Sequence, residues 1–134
     1  MKKLVNTSKA PAAIGPYSQA IISGNIVYCS GQIPLDPKSM ELVGDTVSAQ
    51  TLQVLVNLNE VLLEAGATVD SIIRTTVFLS DMANFSEFNG VYEKFLLENS
   101  KNSIEFVAPA RATVAVRELP KSVMVEISCI AEIN

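Results

Sequence analysis

Histidine is missing from the 134-residue chain. Its absence removes the Ser-His-Asp and Cys-His nucleophile systems, in which an imidazole carries the proton. It also removes paired-histidine nuclease chemistry and most zinc sites. Any catalysis must therefore use carboxylate, Arg, Lys, hydroxyl or backbone groups. Positive charge is scarce as well. Ten Lys and Arg face 14 Asp and Glu, for a net charge of −4, the wrong field for displacing counterions from phosphates. Nucleic acid is accordingly not an expected partner. No apolar run approaches the ~20 residues that span a bilayer. Lys2 and Lys3 lead into Asn6, Thr7, Ser8 and Lys9 rather than the apolar stretch of a signal peptide. The expectation is a chain away from membranes, in the cytoplasm. Cysteine is limited to Cys29 and Cys129, each inside an apolar run, which reads as two buried free thiols in a reducing compartment. There is no CxxC, no phosphate loop, no linker and no repeat.

What is present is enough apolar material for a core. Hydrophobic residues make up 49% of the chain and charged residues 18%, which fits one domain over residues 1–134. Ala10-Pro11 and Gly15-Pro16 punctuate an extended N-terminal arm. The runs Gln19–Ser23 and Ile26–Ser30 flank Gly24-Asn25, a two-residue loop suited to a primed turn. Pro34-Leu35-Asp36-Pro37 reads as the turn that ends the second strand. Ser48 to Ala65 predicts a helix with polar positions at Gln50, Gln53, Asn57, Glu60 and Glu64 and a buried stripe at Leu52, Leu55, Leu58, Leu62 and Ala65. Gly66 is placed to cap it in the left-handed region.

Ser71 to Ser80 is β-branched and aromatic, hence a strand. A second helix is expected from Asn84, which with Glu87 resembles a capping box; Phe85, Phe88, Tyr92 and Phe95 form its apolar stripe, and Asn99–Lys101 its end. Strands follow at Arg111–Val116 and Ser122–Ile133, joined by a turn over Arg117–Lys121. The order is ββαβαββ, with a short leading strand at Lys3–Val5 making a sixth: an α+β, mixed-sheet pattern. Two helices cover only one face of such a sheet, yet several strands are apolar on both. A second copy of the chain is the economical cover, so a homo-oligomer packed sheet against sheet is expected.

Few residues stand out as carriers of chemistry. Arg111 is the only charge in Pro109–Val116 and needs an anion. That anion is either a strand carboxylate or a substrate carboxylate, which the planar guanidinium grips with two hydrogen bonds. Glu126 interrupts the apolar run Val123–Ile130. It lies on the strand after Arg111, so the two are expected to approach each other. Glu126 then either neutralises Arg111 or orients a water. Asn89 flanks the aromatic stripe and reads either as a helix-surface amide or as a site residue. Ser30-Gly31 ends a strand, where glycine admits a ligand to the backbone or merely turns the chain. Tyr17 is either a packing aromatic or part of a site.

The combination is more specific than its parts. Ala12-Ala13-Ile14-Gly15-Pro16-Tyr17-Ser18-Gln19-Ala20 resembles the opening motif of the Rid (reactive intermediate deaminase, YjgF-like) family. Ser30-Gly31-Gln32-Ile33-Pro34 resembles its second motif, and Thr75–Leu79 followed by Phe88-Asn89-x-x-Tyr92-x-x-Phe95 its third. Pro109-Ala110-Arg111, Leu119-Pro120 and Val125-Glu126-Ile127 resemble its C-terminal signature. The match runs through the whole chain, in order.

The resemblance implies a chorismate-mutase-like α+β fold with a five- or six-stranded mixed sheet and two helices on one face. It also implies a homotrimer with a central β-barrel and clefts between subunits. The implied activity is hydrolysis of enamine/imine intermediates, such as 2-aminoacrylate, to 2-keto acids and ammonium, with no cofactor and no metal. Arg111 would clamp the substrate carboxylate and Glu126 would hold the attacking water. Ser30, Gly31 and Asn89 would line the pocket, and Tyr17 would pack over the substrate. Thr113, where many relatives have Cys, would touch substrate through its backbone. The stretch from 99 to 108 looks longer than in close relatives and is expected at the cleft rim or the subunit edge. Two other readings are open. One is the endoribonuclease or translation-inhibitor role whose label such proteins carry, which the acidic balance and missing histidine disfavour. The other is a non-enzymatic trimer that binds small acids.

Overall fold

Strand and helix signals in the sequence become eight principal elements: β1 (Lys3–Val5), β2 (Ala20–Ser23), β3 (Ile26–Gln32), α1 (Val47–Glu64), β4 (Ile72–Leu79), α2 (Phe85–Asn99), β5 (Ala110–Ala115) and β6 (Val125–Glu132). They are seen in a computed structural model that describes residues 1–134. The β2–β3 turn forms where expected. Gly24 has φ +61 while Asn25 stays at negative φ, the type II′ pattern that suits glycine at the first turn position. All six strands join one mixed sheet in the order β1-β2-β3-β6-β4-β5. Only β4 and β5 run parallel, and α2 supplies the crossover that a parallel pair requires. The α+β class and the six-stranded sheet stand as read from the sequence.

The helices lie on one face of the sheet, over a core of 24 buried residues. Strand β6 shows the sidedness: Val125, Ile127, Cys129 and Ala131 are buried, whereas Glu126, Ser128 and Ile130 are half-buried and Glu132 is exposed. That alternation is the period of a strand covered on one side. The bare face carries Leu4, Ile21, Tyr28, Ile130, Phe78 and Val114, brought together by the registers of adjacent strands. Leu4, Tyr28 and Val114 are about half exposed or more, so an apolar surface remains open on a single chain. No helix is long and apolar enough to cross a membrane. Cys29 and Cys129 are free and buried, as expected. They face each other across β3 and β6, and hydrogen bonding to Cys29, with burial, holds the Cys129 thiol well above its ordinary pKa.

Helix α1 has the expected length but a different rotation. Thr46 caps it, accepting from the Ala49 N–H at 3.1 Å, and Gly66 follows at φ +85. Leu55, Leu58 and Leu62 are buried, but Leu52 is half exposed, and Gln50 and Asn57, read as solvent-facing, are buried. Their amides explain it. Asn57 Nδ2 donates to Ile33 O and Leu35 O at 3.1 and 3.0 Å. Gln50 Oε1 accepts from the Met124 N–H at 2.8 Å and its Nε2 donates to Gly44 O at 3.1 Å. These backbone groups have no strand partner, and a buried polar group needs one. The capping box at α2 does not form. A 3₁₀ turn over Met82–Asn84 precedes the helix, Asp81 caps that turn, and the Asn84 side chain makes no capping bond.

Candidate active site

Arg111 sits on β5, at the edge of the sheet, in register with Thr75 of β4. The Thr75 hydroxyl shares a 2.7 Å hydrogen bond with the Tyr92 phenol of α2, so this rung faces the helices. The guanidinium lies against three rings of α2, with Cζ 5.0 Å from the Tyr92 centroid, 5.5 Å from Phe85 and 5.9 Å from Phe88. Such contacts hold a cation without neutralising it. Nη1 donates to Asn89 Oδ1 at 2.8 Å. No carboxylate pairs with it; the chain's one ion pair is Lys94–Glu98 on the surface of α2. Arg111 is also exposed in the single chain rather than buried, so its remaining N–H groups are free to take an anion.

A cavity of about 660 Å³ borders Arg111, Asn89 and Tyr92 and continues over Leu96 to Phe106 and Ala108. The 99–108 stretch therefore reaches its rim. Burial pushes the Tyr92 phenol up, opposed by the Thr75 hydrogen bond and the Arg111 charge. Thr113 follows Arg111 by two residues on the same face, and its hydroxyl is buried without a partner.

Glu126 belongs to a second cavity, of about 510 Å³, lined among others by Tyr17, Gly31, Met40 and Lys121. Its placement depends on a β-bulge. Cys29 pairs with Cys129 and Gln32 with Ile127, so three steps along β3 match two along β6, and the extra residue falls at Ser30-Gly31. Bulges of this kind re-aim side chains beside functional sites. The Glu126 side chain lies directly over Gly31: a Cβ there would collide with Oε2 and sit 2.9 Å from Cδ. Glycine at 31 thus makes room for Glu126. Burial raises the Glu126 pKa, with no cation offsetting it. Ser30 is fixed by its N–H to Gln19 O at 2.9 Å and its hydroxyl to Ser18 O at 2.5 Å. Tyr17 stands half exposed on the arm.

The expected residues therefore fall into two groups: Arg111, Asn89 and Thr113 in one, and Tyr17, Ser30, Gly31 and Glu126 in the other. The expected approach of Arg111 to Glu126 does not occur within one chain. Strand β4 lies between β5 and β6. Arg111 is level with Thr75 and Glu126 with Phe78. Thr75 and Phe78 are an odd number of residues apart, so the two side chains leave opposite faces of the sheet. Neither group by itself brings the Arg111 guanidinium and the Glu126 carboxylate together. Two residues escaped the sequence reading. Lys121 borders the Glu126 cavity from a left-handed backbone conformation, φ +56, and Gln19 is buried at the root of the arm. In the sequence Gln19 is a polar residue that opens an apolar strand and stands near the end of the family's opening motif, with neither signal pointing to its hydrogen bonds.

Comparison with known proteins identifies the family and the fold. The family model described as Endoribonuclease L-PSP matches residues 7–133. A chloroplastic protein of Arabidopsis thaliana named Reactive Intermediate Deaminase A is 43% identical over 130 residues, covering 97% of this chain and 65% of that longer one. The solved YjgF gene product of E. coli superposes with a TM-score of 0.90 at 42% identity, over 98% of this chain and 99% of that one. E. coli TdcF, solved with bound serine, gives 0.90 at 39% identity, with the same shares covered. The fold is the one these neighbours share, and the chain belongs to the Endoribonuclease L-PSP family, which includes proteins named Rid and YjgF.

Proposed function

We propose that this protein hydrolyses small 2-imino acids, such as 2-iminopropanoate and 2-iminobutanoate, to 2-keto acids and ammonium without a cofactor. Each site is built where the Arg111 group of one protomer meets the Glu126 group of another in a homotrimer packed through the bare sheet face. The observation that carries the reading is the Arg111 guanidinium: braced by three rings and an amide, it has no carboxylate of its own. That is the state of a cation kept for a ligand. The Arabidopsis relative's name and the amino acid bound to TdcF point the same way.

The chemistry asks little of the protein. A protonated imine carbon is already electrophilic. Arg111 grips the neighbouring carboxylate through two N–H groups and fixes the carbon in place. Glu126 accepts a proton from water as the oxygen bonds to that carbon, then returns it to nitrogen. As the C–N bond breaks, the carbinolamine hydroxyl gives its remaining proton back to Glu126, which passes it to the departing ammonia; ammonium leaves and the carbonyl of the keto acid remains. Its raised pKa brings Glu126 closer to the range suited to passing a proton both ways. Placing one water against one fixed carbon is the kind of arrangement that lowers barriers by orientation alone.

The test couples the protein to a pyridoxal-phosphate-dependent serine or threonine dehydratase and follows ammonium release. Arg111→Ala should abolish the acceleration, and Arg111→Lys should leave at most about a tenth of it, since a point charge cannot replace the planar pair of donors. Wild-type rates in both variants would refute the role of Arg111. Cleavage of RNA that depends on Arg111 or Glu126, without imine hydrolysis, would favour the nuclease reading instead.

A further inference from the structure

Residues 6–19 form no strand or helix, yet they deliver Pro11, Ala12, Ile14 and Tyr17 to the wall of the Glu126 cavity. An irregular segment must satisfy its backbone groups by other means. Here one side chain does most of it. Gln19 is 1% exposed. Its Oε1 accepts from the Thr7 N–H at 2.7 Å, and its Nε2 donates to Pro11 O at 2.8 Å and Thr7 O at 3.1 Å, with Ala10 O at 3.4 Å. Its own carbonyl accepts the Ser30 N–H at 2.9 Å, while the Ser30 hydroxyl bonds to Ser18 O. A single carboxamide therefore closes the arm upon itself, and the adjoining backbone joins it to the bulge beneath Glu126.

We propose that Gln19 is a positioning residue for the Glu126 half of the site: its carboxamide holds the arm so that Tyr17 stands over the Ser30-Gly31 bulge. The chemistry is specific to an amide. Thr7 N–H needs an acceptor and the carbonyls of Thr7 and Pro11 need a donor. Glutamate offers only acceptors, leucine offers nothing, and asparagine is one methylene too short. Leaving buried carbonyls unpaired is costly, so the arm would detach and take up solvent. The kinetic part of the inference rests on the imine-hydrolysis reading; the structural part does not.

Both parts can be read separately. The chain has three tyrosines, Tyr17, Tyr28 and Tyr92, so 3-fluorotyrosine labelling gives three fluorine resonances, assigned by single Tyr→Phe changes. In Gln19→Glu, the Tyr17 resonance should shift and narrow while that of Tyr92, tied to Thr75, stays. In the dehydratase-coupled assay kcat/KM should fall at least 10-fold, more through kcat than KM because the Arg111 clamp is untouched. With Tyr17→Phe added, the two losses should be less than additive. In the unmodified protein the Thr7 amide should exchange at least 100-fold more slowly than in an unstructured chain, although it lies in no strand; this measurement decides the matter if the variant does not fold. An unprotected Thr7 amide, an unmoved Tyr17 resonance, or Tyr17 and Tyr92 moving together would overturn the proposal. If the unmodified protein hydrolyses no imine, the functional reading falls, while fluorine and exchange still settle the role of Gln19.

Discussion

Replacing Gly31 with alanine would place a methyl group where Glu126 now lies. The new Cβ would meet Cδ at 2.9 Å and Cγ at 3.0 Å, nearer than carbon atoms approach without repulsion, whose optimum is about 3.5–4 Å. Something must give by roughly 0.5–1 Å. The backbone has no reason to move: Gly31 is not at positive φ, so alanine fits its conformation. What yields is the end of a flexible side chain. Stability should change little, because the contact is relieved by rotation and the loss of unfolded-state freedom contributes about 0.4–1 kcal/mol in the other direction. Activity should suffer far more. A displacement of about 1 Å at a reacting group costs on the order of 100-fold.

Gly31→Ala is therefore expected to melt within a few degrees of the parent, by calorimetry or circular dichroism, while kcat/KM in the dehydratase-coupled assay falls about 100-fold. In a Glu126→Gln background the same change should cost almost nothing, since both act through one carboxylate. Two results would refute the reasoning. Full activity in Gly31→Ala would mean that Glu126 needs no fixed position. A loss of equal size in the presence and absence of the Glu126 carboxylate would mean that Gly31 serves something else, such as a ligand's approach to the backbone.

Other expectations follow from the same contacts. The folded-state pKa of Glu126 is raised by burial, so folding favours its protonated form: that contribution is complete below the unfolded carboxylate range and is lost as pH rises through the raised value. Glu126→Gln should accordingly raise the melting temperature near neutral pH and lose that advantage in acid, and a parent kcat/KM that shows no rise with pH across the same window would contradict Glu126 as the base. Asn57→Ala removes the amide donors to the partly buried Ile33 carbonyl and the buried Leu35 carbonyl and should destabilise by about 1–3 kcal/mol in urea unfolding. Leu52→Gln, at the position that the sequence pattern puts in the core, should change stability by less than about 0.5 kcal/mol; the reverse ranking would mean α1 is rotated differently.

That last pair shows where sequence reasoning stops. Period, caps and turn residues are local, and they located α1, β4 and the β2–β3 hairpin to within a residue or two. The rotation of α1 is not local. Gln50 and Asn57 look like a wet face until the loop at Ile33–Leu35 and the backbone of Met124 arrive to be bonded. Sheet order is less local still. Nothing in the short connection between β5 and β6 says that β6 inserts between β3 and β4. Because of that, Arg111 and Glu126 were expected side by side, when an odd offset along β4 sends them to opposite faces. Arg111 and Glu126 were legible as charges out of place on apolar strands, and the family motifs grouped them with the uncharged candidates. The bulge that seats Glu126 was not legible, because Ser30-Gly31 is also what an ordinary strand end looks like.

The opposite outlook of Arg111 and Glu126 has a consequence for genetics and for dilution. If a working centre draws its anchor from one polypeptide and its proton carrier from the next, two defective proteins can repair each other. Arg111→Ala and Glu126→Gln, each strongly impaired alone, should regain part of the turnover when unfolded together and reassembled. The parent should in turn fall silent on dilution at concentrations where every separate chain is still folded.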